Sequence, residues 1–497
     1  MREALLHIDG QQVPAEDGAT MDVVSPMTGK TIALIAHATP GDVDRAVAAA
    51  RRAFDDKRWR GIAQRERARV LNRAAQLLAQ RVDDFAALET EQIGRPIREM
   101  RAQLSRLPEW LEFFGAVAQT DRGSVPDVGE GHVNLIRRVP LGVIGMITPW
   151  NHPLLITMKK VSVAIAAGNS MVIKPSELGP LVPLELAKLL EEAGVPAGVV
   201  NVVTGAGGTT GRALSEHAGT DKLDVTGGTE TGRIIAAEAG RRLIPVTAEL
   251  GGKAPVIVFD DSPLEEAVAG ALFASFVATG QTCVQGSRIL VQDTVYDAFL
   301  ARLLERVGQL RLGDPADNET QIGPLVSALQ RKRVADAVDR SRAQGVTVAA
   351  GGAVPNGDAF TAGQFYLPTI LTDVTTDHDV WRQEIFGPVA VVVPFSDEAE
   401  AIRLANDADF GLAGSIWTRD TARGLRMVDQ LDIGIVWIND HHRVDPASPW
   451  GGMKDSGIGS ENAIESFHAY TQLKSTMINT APSGTDWFGT TEPMRYS

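Results

Sequence analysis

Short apolar runs and helix-period segments alternate through residues 141–260. The runs predicted as strands are LGVIGMIT, SMVIK, GVVNVVTG, KLDVTGG and IPVTAEL, and the segments predicted as helices are LLITMKKVSVAIAAG, VPLELAKLLEEAG, TTGRALSEHAG and TETGRIIAAEAG. This alternation predicts a parallel, doubly wound sheet with helices on its faces. Ligands in such sheets bind outside the carboxyl ends of the strands, so we expect the chemistry of the protein at that edge.

A second α/β unit follows this region. The runs APVIVF and SRILVQ flank the helical segment PLEEAVAGALFASFVATG, and the later runs VAVVVPF, GSIWT and GIVWIND also predict strands. Near the C-terminus, AYTQLKSTMINT predicts an edge strand that can pair with another subunit. The arginine-rich stretch ARRAFDDKRWRGIAQRERARVLNRAAQLLAQR has apolar residues at helical spacing, so it predicts an amphipathic helix with a solvated basic face.

Length and charge narrow the class of protein. A chain of 497 residues exceeds the size of one hydrophobic core, so about two or three packing units are expected. The net charge of −14 argues against a nucleic-acid partner, because such partners select a basic surface. No apolar run is long enough to cross a membrane and the N-terminus lacks a signal-peptide pattern, so we expect no membrane contact and a cytoplasmic location.

Cys283, in the segment FVATGQTCVQGSRILVQ, is the only cysteine of the chain. A single cysteine cannot form an internal disulfide or build a zinc site by itself, and we predict no metal site. Two interpretations remain, a small buried hydrophobe and a nucleophile. Taken alone, the position favours the first, because free cysteine is among the most buried residue types.

Other short motifs are ambiguous in the same way. The glycine-rich segments TGAGGTTG (204–211) and GGTETG (227–232) lie at strand-to-helix junctions and indicate either a phosphate cradle or ordinary turn geometry. Lys174 and Glu177 in VIKPSE can hold a ribose or form a surface pair. Glu249 in TAELGGK leaves an apolar strand, where burial raises a carboxyl pKa toward that of a general base. Asn151 in TPWNHP can donate to an oxyanion or cap a helix.

Taken together and in order, these motifs resemble the NAD(P)-dependent aldehyde dehydrogenase superfamily, in its hydrolytic, non-CoA-acylating branch. The matching segments are PWNHP, IKPSE, GGTETGR, ELGGK, GQTC, EIFGP and PWGGMKDSGIG. The resemblance implies an α/β fold with a Rossmann-type doubly wound cofactor domain, an α/β catalytic domain and a small β oligomerisation element. The implied boundaries are 1–117 with 142–250 for the cofactor domain, 251–440 for the catalytic domain, and 118–141 with 468–497 for the oligomerisation element and tail.

The resemblance also implies roles for single residues. Cys283 resembles the nucleophile that captures the aldehyde as a thiohemiacetal, and Asn151 the donor to its oxyanion. Glu249 resembles the base that activates water to hydrolyse the thioester, and Lys160 with Glu461 a relay for its proton. A thiolate nucleophile leads us to expect a lowered pKa for Cys283, and the preceding Gly-Gln-Thr indicates a flexible approach to it.

NAD is the cofactor that the resemblance implies, with NADP as the alternative. A carboxylate at Glu177 repels a 2′-phosphate, which favours NAD, whereas Lys174 favours the opposite. The predicted cofactor contacts are Thr148, Trp150, Lys174, Glu177, Gly207, Gly227, Gly228, Thr231, Gly232, Glu384 and Phe386.

The predicted partner is a small-molecule aldehyde. The substrate contacts expected from the resemblance are His152, Leu155, Ile156, Lys159, Arg443, Val444 and Trp450. Their apolar members favour an apolar or aromatic aldehyde, whereas Lys159 and Arg443 favour an anionic semialdehyde. A CoA-acylating enzyme is a further alternative, which the presence of Glu249 disfavours. The family resemblance implies a homodimer or homotetramer.

Overall fold

The apolar runs of the sequence form the centres of two large sheets in the computed structural model, which describes residues 2–481, 487–489 and 491. The strands, in chain order, are β1 (Arg2–Ala4), β2 (Leu6–Ile8), β3 (Gln11–Val13), β4 (Thr20–Val24), β5 (Thr31–Ala36), β6 (His132–Pro140), β7 (Val143–Thr148), β8 (Ser170–Pro175), β9 (Val200–Val202), β10 (Lys222–Thr226), β11 (Val246–Glu249), β12 (Pro255–Val258), β13 (Arg288–Gln292), β14 (Thr347–Ala350), β15 (Thr369–Thr372), β16 (Val389–Phe395), β17 (Phe410–Gly411), β18 (Ala413–Trp417), β19 (Ile435–Ile438), β20 (Met453–Lys454), β21 (Gly457–Ile458) and β22 (Thr471–Asn479). The helices are α1 (Pro40–Asp55), α2 (Gln64–Gln80), α3 (Val82–Ile93), α4 (Ile97–Leu104), α5 (Pro108–Thr120), α6 (Pro153–Ala167), α7 (Leu181–Ala193), α8 (Arg212–Glu216), α9 (Thr229–Arg242), α10 (Leu264–Phe276), α11 (Asp293–Gly308), α12 (Ala328–Ala343), α13 (Asp379–Arg382), α14 (Glu398–Asn406), α15 (Thr421–Val428) and α16 (Ala463–Ala469).

The first sheet has eight strands in the order β21-β11-β10-β7-β8-β9-β2-β3. Its central strands β11, β10, β7, β8 and β9 run parallel, as the alternating sequence pattern predicts. From β7 the chain moves outward through β8 and β9 and then returns to place β10 on the other side of β7. The carboxyl ends of β7 and β10 therefore border the crevice where ligands of open α/β sheets bind.

The second sheet has seven strands in the order β14-β15-β16-β13-β12-β18-β19. All neighbouring pairs are parallel except β14 with β15. Consecutive residues of β12, such as Val256 and Ile257, belong to separate apolar clusters on the two faces of the sheet. Burial on both faces explains why these strands appear in the sequence as continuous apolar runs.

The arginine-rich stretch is not the single helix that the sequence predicts. It contains the end of α1 and the whole of α2, separated by turns over residues 56–63. The chain breaks here because Trp59 turns inward: its side chain is buried, and its indole N–H donates to the Ile165 carbonyl at 2.7 Å. The basic face of α2 is solvated, as predicted.

A two-stranded ribbon stands apart from both sheets. β22 pairs antiparallel with β6 along its full length, from Thr471 opposite Pro140 to Asn479 opposite His132. Leu473 and Met477 are exposed on this ribbon. The predicted edge strand is therefore confirmed, and part of the predicted tail segment 468–497 lies outside the described residues.

Candidate active site

The sequence motifs converge where the strands of the first sheet end. β7 ends at Thr148, and Asn151 follows it just before α6. β11 ends at Glu249, and the loop after it packs so closely on the Cys283 loop that a Cβ at Gly252 would collide with the Cys283 carbonyl oxygen. The sequence thus brings three candidate catalytic side chains from separate elements to one edge of the sheet.

The backbone that precedes Cys283 is anchored on both sides. Ala278 and Thr279 adopt left-handed conformations with φ of 56° and 55°, and the Ala278 N–H donates to the Glu99 carboxylate at 3.2 Å. The Gln281 side-chain oxygen accepts from the Val326 N–H at 3.0 Å. Non-glycine residues hold such conformations only where the surroundings determine them, as active sites often do. The segment that the sequence suggested to be flexible is thus tied to its surroundings by hydrogen bonds in the structure.

Asn151 lies against the Cys283 loop. Its side chain is buried, and Nδ2 donates to the Gln281 carbonyl at 3.1 Å. A carboxamide nitrogen carries two N–H donors, so one remains for a ligand. Asn151 and Cys283 both line one cavity of about 470 Å³.

Glu249 has the properties of a base held out of water. Its side chain is buried, and neither carboxylate oxygen has a hydrogen-bond partner among the described residues. Burial, followed by the negative charge of Glu461, raises the pKa of Glu249 well above its ordinary value. A carboxylate in this state takes up protons readily near neutral pH.

The thiol of Cys283 is partly accessible, as a nucleophile must be. Its pKa is not lowered, however: burial, followed by the charge of Glu384, raises the pKa of Cys283 to about 12. Lys159 acts in the opposite direction but does not compensate for the loss of hydration. The expectation of a lowered pKa is thus wrong for the protein without its ligands.

Lys160 and Glu461 form the centre of a buried charge cluster next to Glu249. Lys160 Nζ contacts Glu461 Oε1 at 2.5 Å, and Lys159 Nζ contacts Glu461 Oε2 at 2.5 Å. Burial opposes ionisation of Glu461, but the two lysines prevail and lower its pKa to about 2. Burial opposes ionisation of Lys160 as well, but the negative charges of Asp224 and Glu461 prevail and raise its pKa.

Asp224 extends this cluster in a way that the motifs did not indicate. Lys160 Nζ forms an ion pair with Asp224 Oδ1, and the Tyr470 hydroxyl donates to Asp224 Oδ2. Asp224 is almost completely buried in the middle of β10. The available signal was a charged residue inside the apolar run KLDVTGG, since a buried carboxylate requires a partner.

The cavity beside Cys283 continues along the N-terminus of α9. A Cβ at Gly227 or Gly228 would meet no atom within 4 Å, so the backbone there borders open space. The hydroxyls of Thr226 and Thr229 are buried without hydrogen-bond partners in the described structure. Free N–H groups, a helix dipole and unpaired hydroxyls are what a pyrophosphate requires. These residues therefore fit a dinucleotide.

Glu384 and Phe386 close the opposite side of this cavity. The Glu384 carboxylate accepts from the Gly252 N–H at 2.9 Å, and burial raises its pKa to about 7. The ring of Phe386 meets that of Trp150 edge to face at 5.4 Å. The structure therefore brings these three predicted cofactor contacts together around one space.

The remaining predicted cofactor contacts lie around this groove without lining the cavity. Lys174 is buried on β8, with Nζ 3.3 Å from Glu177. Gly207 begins a π-helical turn over 207–211, and Thr148 is buried at the end of β7. Thr231 is exposed on α9. Gly232 is buried there, where a Cβ would collide with Leu250.

Helix α12 contributes residues that the sequence motifs did not single out. Gln330, Arg333 and Arg340 line the cavity beside Cys283. Gln330 Nε2 donates to the Phe386 carbonyl at 2.9 Å and so holds the loop that carries Phe386. Their spacing on the helix was visible in the sequence, but nothing in it placed α12 next to the EIFGP loop.

A second cavity, which we call the entrance cavity, has a volume of about 380 Å³. Its apolar lining includes two residues predicted to contact substrate, Leu155 and Val444, and two that were not predicted, Trp110 and Phe273. Val444 and Cys283 both pack against one apolar cluster that includes Trp437 and Trp450. The charged lining consists of Arg95, Arg98, Glu99, Arg106 and Arg443.

Other predicted substrate contacts do not line the entrance cavity. Lys159 is buried, paired with Glu461, and its ammonium lies 4.4 Å from the centre of the Trp450 ring. Ile156 is buried on α6. His152 stacks on His442 with ring centres 5.8 Å apart, and burial lowers its pKa well below the ordinary value.

Among the residues that the structure describes, every helix is too short or too polar to cross a lipid bilayer. Within the same residues, no group of three or more His, Cys, Asp or Glu side chains is arranged to hold a metal ion.

Comparison with known proteins gives concordant matches. A model described as the aldehyde dehydrogenase family matches residues 13–476. The chain is 39% identical over 485 residues to a betaine aldehyde dehydrogenase of Bacillus subtilis strain 168, covering 97% of this chain and 99% of that protein. It is 42% identical over 473 residues to a betaine aldehyde dehydrogenase of Sinorhizobium fredii, covering 95% and 96%. The crystal structure of a Staphylococcus aureus betaine aldehyde dehydrogenase in complex with NAD+ superimposes with a TM-score of 0.96 at 37% identity, covering 98% of this chain and 97% of that one.

Proposed function

This chain belongs to the aldehyde dehydrogenase family, and on that basis we propose that it irreversibly oxidises an aldehyde to the carboxylic acid through a covalent intermediate on Cys283. The observation that carries the proposal is the shared cavity: Cys283, Asn151 and the loop after Glu249 border the groove that fits a dinucleotide. NAD is the cofactor, as in the S. aureus relative.

In the first step the sulfur of Cys283, as thiolate, bonds to the aldehyde carbon, and the carbonyl electron pair moves to the oxygen. The free N–H of Asn151 and the backbone N–H of Cys283 stabilise this oxyanion. Gly227 and Gly228 would hold NAD in this groove, and the cofactor would supply the acceptor for the hydride that leaves the thiohemiacetal carbon. A thioester on Cys283 remains.

In the second step Glu249 takes a proton from a water molecule that attacks the thioester, and the Cys283 sulfur leaves as a thiolate. Both Glu249 oxygens are free to accept this proton, and the raised pKa suits a general base. Lys160 and Glu461, next to Glu249, relay the proton onward. A CoA-acylating reaction transfers the acyl group to a thiol and activates no water, so it does not require an unpartnered buried carboxylate beside the thioester.

For the substrate we propose an aldehyde with an apolar or aromatic body. The apolar lining of the entrance cavity, from Leu155, Val444, Trp110 and Phe273, supports such a body. The arginines of the same cavity favour an anionic semialdehyde as the second candidate. The relatives are named for betaine aldehyde, which carries a quaternary ammonium group. This cationic aldehyde is therefore a third substrate to test.

The decisive experiment follows reduced-cofactor absorbance with benzaldehyde, hexanal, succinate semialdehyde and betaine aldehyde, each with NAD and with NADP. Cys283→Ala is expected to abolish turnover. Glu249→Gln is expected to keep one stoichiometric burst of reduced cofactor and to lower the steady rate by about a hundredfold or more, because the thioester then accumulates. Stimulation of the steady rate by added CoA would contradict the hydrolytic proposal.

The exposed ribbon of β6 and β22 leads us to propose a homodimer or homotetramer. An isolated pair of strands is at best marginally stable in water. Its apolar residues, with Leu473 63% exposed, therefore require a second surface, and a further copy of the chain supplies one.

A further inference from the structure

Arg98 and Arg443 stand out among the charged residues of the entrance cavity. Arg98 lies on α4 and Arg443 in the loop after β19, so two separate elements bring them to one opening. Both are exposed, and neither side chain forms an ion pair or hydrogen bond with any described residue. The charge of Arg98 acts on the Glu99 carboxylate without forming an ion pair with it.

The other two arginines of this cavity are already neutralised. Arg95 forms an ion pair with Glu99 at 3.1 Å, and Arg106 forms one with Glu109 at 2.9 Å and a longer one with Asp445 at 3.8 Å. Arg98 and Arg443 consequently leave a local excess of positive charge at the mouth of a cavity whose walls are largely apolar. In a chain of net charge −14, such a place attracts anions and repels cations.

The cavity has a polarity that orients a ligand. On one side its lining residue His442 contacts the hydroxyl of Thr282, the residue before Cys283, at 3.2 Å. At its outer end are the two unpaired guanidinium groups. A molecule that spans the cavity would present one end to the thiol and the other to the arginines.

We propose that Arg98 and Arg443 bind a carboxylate at the far end of the aldehyde substrate, whose connecting chain is apolar. The natural substrate would then be an ω-carboxylated aldehyde. This inference rests on the proposed aldehyde oxidation. Guanidinium groups match carboxylates in geometry and charge. Neither of these two guanidinium groups has a carboxylate partner among the described residues, so both can bind one from a ligand.

Two alternatives fit the cavity less well. Lys159, which the sequence suggested as a carboxylate partner, is occupied by Glu461. A quaternary ammonium substrate is recognised over aromatic faces, and although Trp110 and Phe273 are present, the unpaired arginines beside them would repel it.

The test compares matched substrates in the full-length enzyme with NAD. Adipate semialdehyde and hexanal differ only in the terminal carboxylate, and betaine aldehyde supplies the cation. We expect the wild-type kcat/KM to be highest for adipate semialdehyde. Arg98→Gln and Arg443→Gln should each lower the ratio of kcat/KM for adipate semialdehyde over hexanal by about tenfold, because each removes a charge-assisted hydrogen bond.

Arg419→Gln is the matched control. Arg419 is exposed and has no ion pair in the described structure, but it lines neither cavity. The ratio of kcat/KM for adipate semialdehyde over hexanal in this variant should equal that of the wild type. A wild-type preference for hexanal or betaine aldehyde would overturn the inference. So would an unchanged ratio in the double variant.

A second readout needs no turnover and separates this inference from the proposed reaction. Hexanoate, unlike hexanol, should slow the alkylation of Cys283 by iodoacetamide, and the double variant should lose that protection. If hexanoate protects Cys283 but the enzyme oxidises no aldehyde, the proposed carboxylate site is supported and the proposed reaction is contradicted. Equal effects of hexanoate and hexanol would reject the carboxylate site.

Discussion

The environment of Cys283 shows how one residue can be identified from sequence while its state cannot. The GQTC and ELGGK motifs indicate the nucleophile and the base, because those residues need specific neighbours along the chain. The raised pKa of Cys283 depends on burial and on Glu384, which is distant in sequence. Asp224 and Arg98 escaped prediction for the same reason: their roles arise from contacts between elements and carry no local pattern.

The pKa of Cys283 gives a prediction for the free enzyme. Only the thiolate is alkylated rapidly, and burial raises the pKa to about 12, so little thiolate exists at neutral pH. The rate of iodoacetamide modification without cofactor should therefore keep rising with pH as far as the protein stays folded. Mass spectrometry gives a clean measurement, because the chain has one cysteine. A plateau near neutral pH would contradict the prediction.

Asp224 gives a second prediction at this scale. Its negative charge contributes to the raised pKa of Glu249, so Asp224→Asn should lower that pKa. Glu249 acts when deprotonated, and the wild-type kcat should fall as pH falls through its pKa. In Asp224→Asn this fall should move to lower pH, which a kcat–pH profile detects. Asp83→Asn, at an exposed ion pair with Arg101, is the control and should leave the profile unchanged.

At the scale of elements, the prediction of strands and helices from apolar spacing was confirmed through residues 141–260. Each predicted strand there overlaps an observed one, since burial in a parallel sheet imposes a continuous apolar run. The break between α1 and α2 was missed because it follows from tertiary burial of Trp59 and not from a helix-stop residue. The arrangement of α4 and α12 around the two cavities was likewise invisible in the sequence.

The contact between two loops yields a prediction about elements. Gly252 sits where a Cβ would collide with the Cys283 carbonyl, so Gly252→Ala should displace the catalytic loop and lower kcat by about tenfold or more. Gly240→Ala is the matched control: Gly240 lies within α9 and faces open space, so the substitution should preserve activity and raise stability by about 0.5–1 kcal/mol. Steady-state rates and thermal unfolding measure both effects. Equal kcat in the two variants would contradict the expected loop displacement.

At the scale of the whole molecule, the chain is an NAD-dependent aldehyde oxidoreductase with the family's α/β fold. The motif resemblance in the sequence led to this result, because the residues of the catalytic edge are constrained together. The substrate could not be predicted from the sequence motifs in the same way. It depends on which side chains line the entrance cavity, and these come from α4, α5, α6, α10 and the loop after β19.

The ribbon gives a prediction about assembly. Leu473→Glu places a charge on the exposed apolar side of β22 and should shift the protein toward a smaller species in light scattering. Leu425→Glu, at an equally exposed leucine on α15, should leave the mass unchanged. An unaltered mass in Leu473→Glu would exclude this ribbon as the subunit contact.

One cavity is lined by Cys283 and the other by His442, which contacts the neighbouring Thr282, and their separation has a consequence for the order of binding. They share no lining residue, one being bordered by α9 and α12 and the other by α4 and α5. On the proposed assignment of the two cavities, aldehyde and dinucleotide would arrive by separate routes, and neither would block the other's path. The kinetic scheme that follows is random addition, in which a dead-end inhibitor of either route is competitive with its own ligand and noncompetitive with the other.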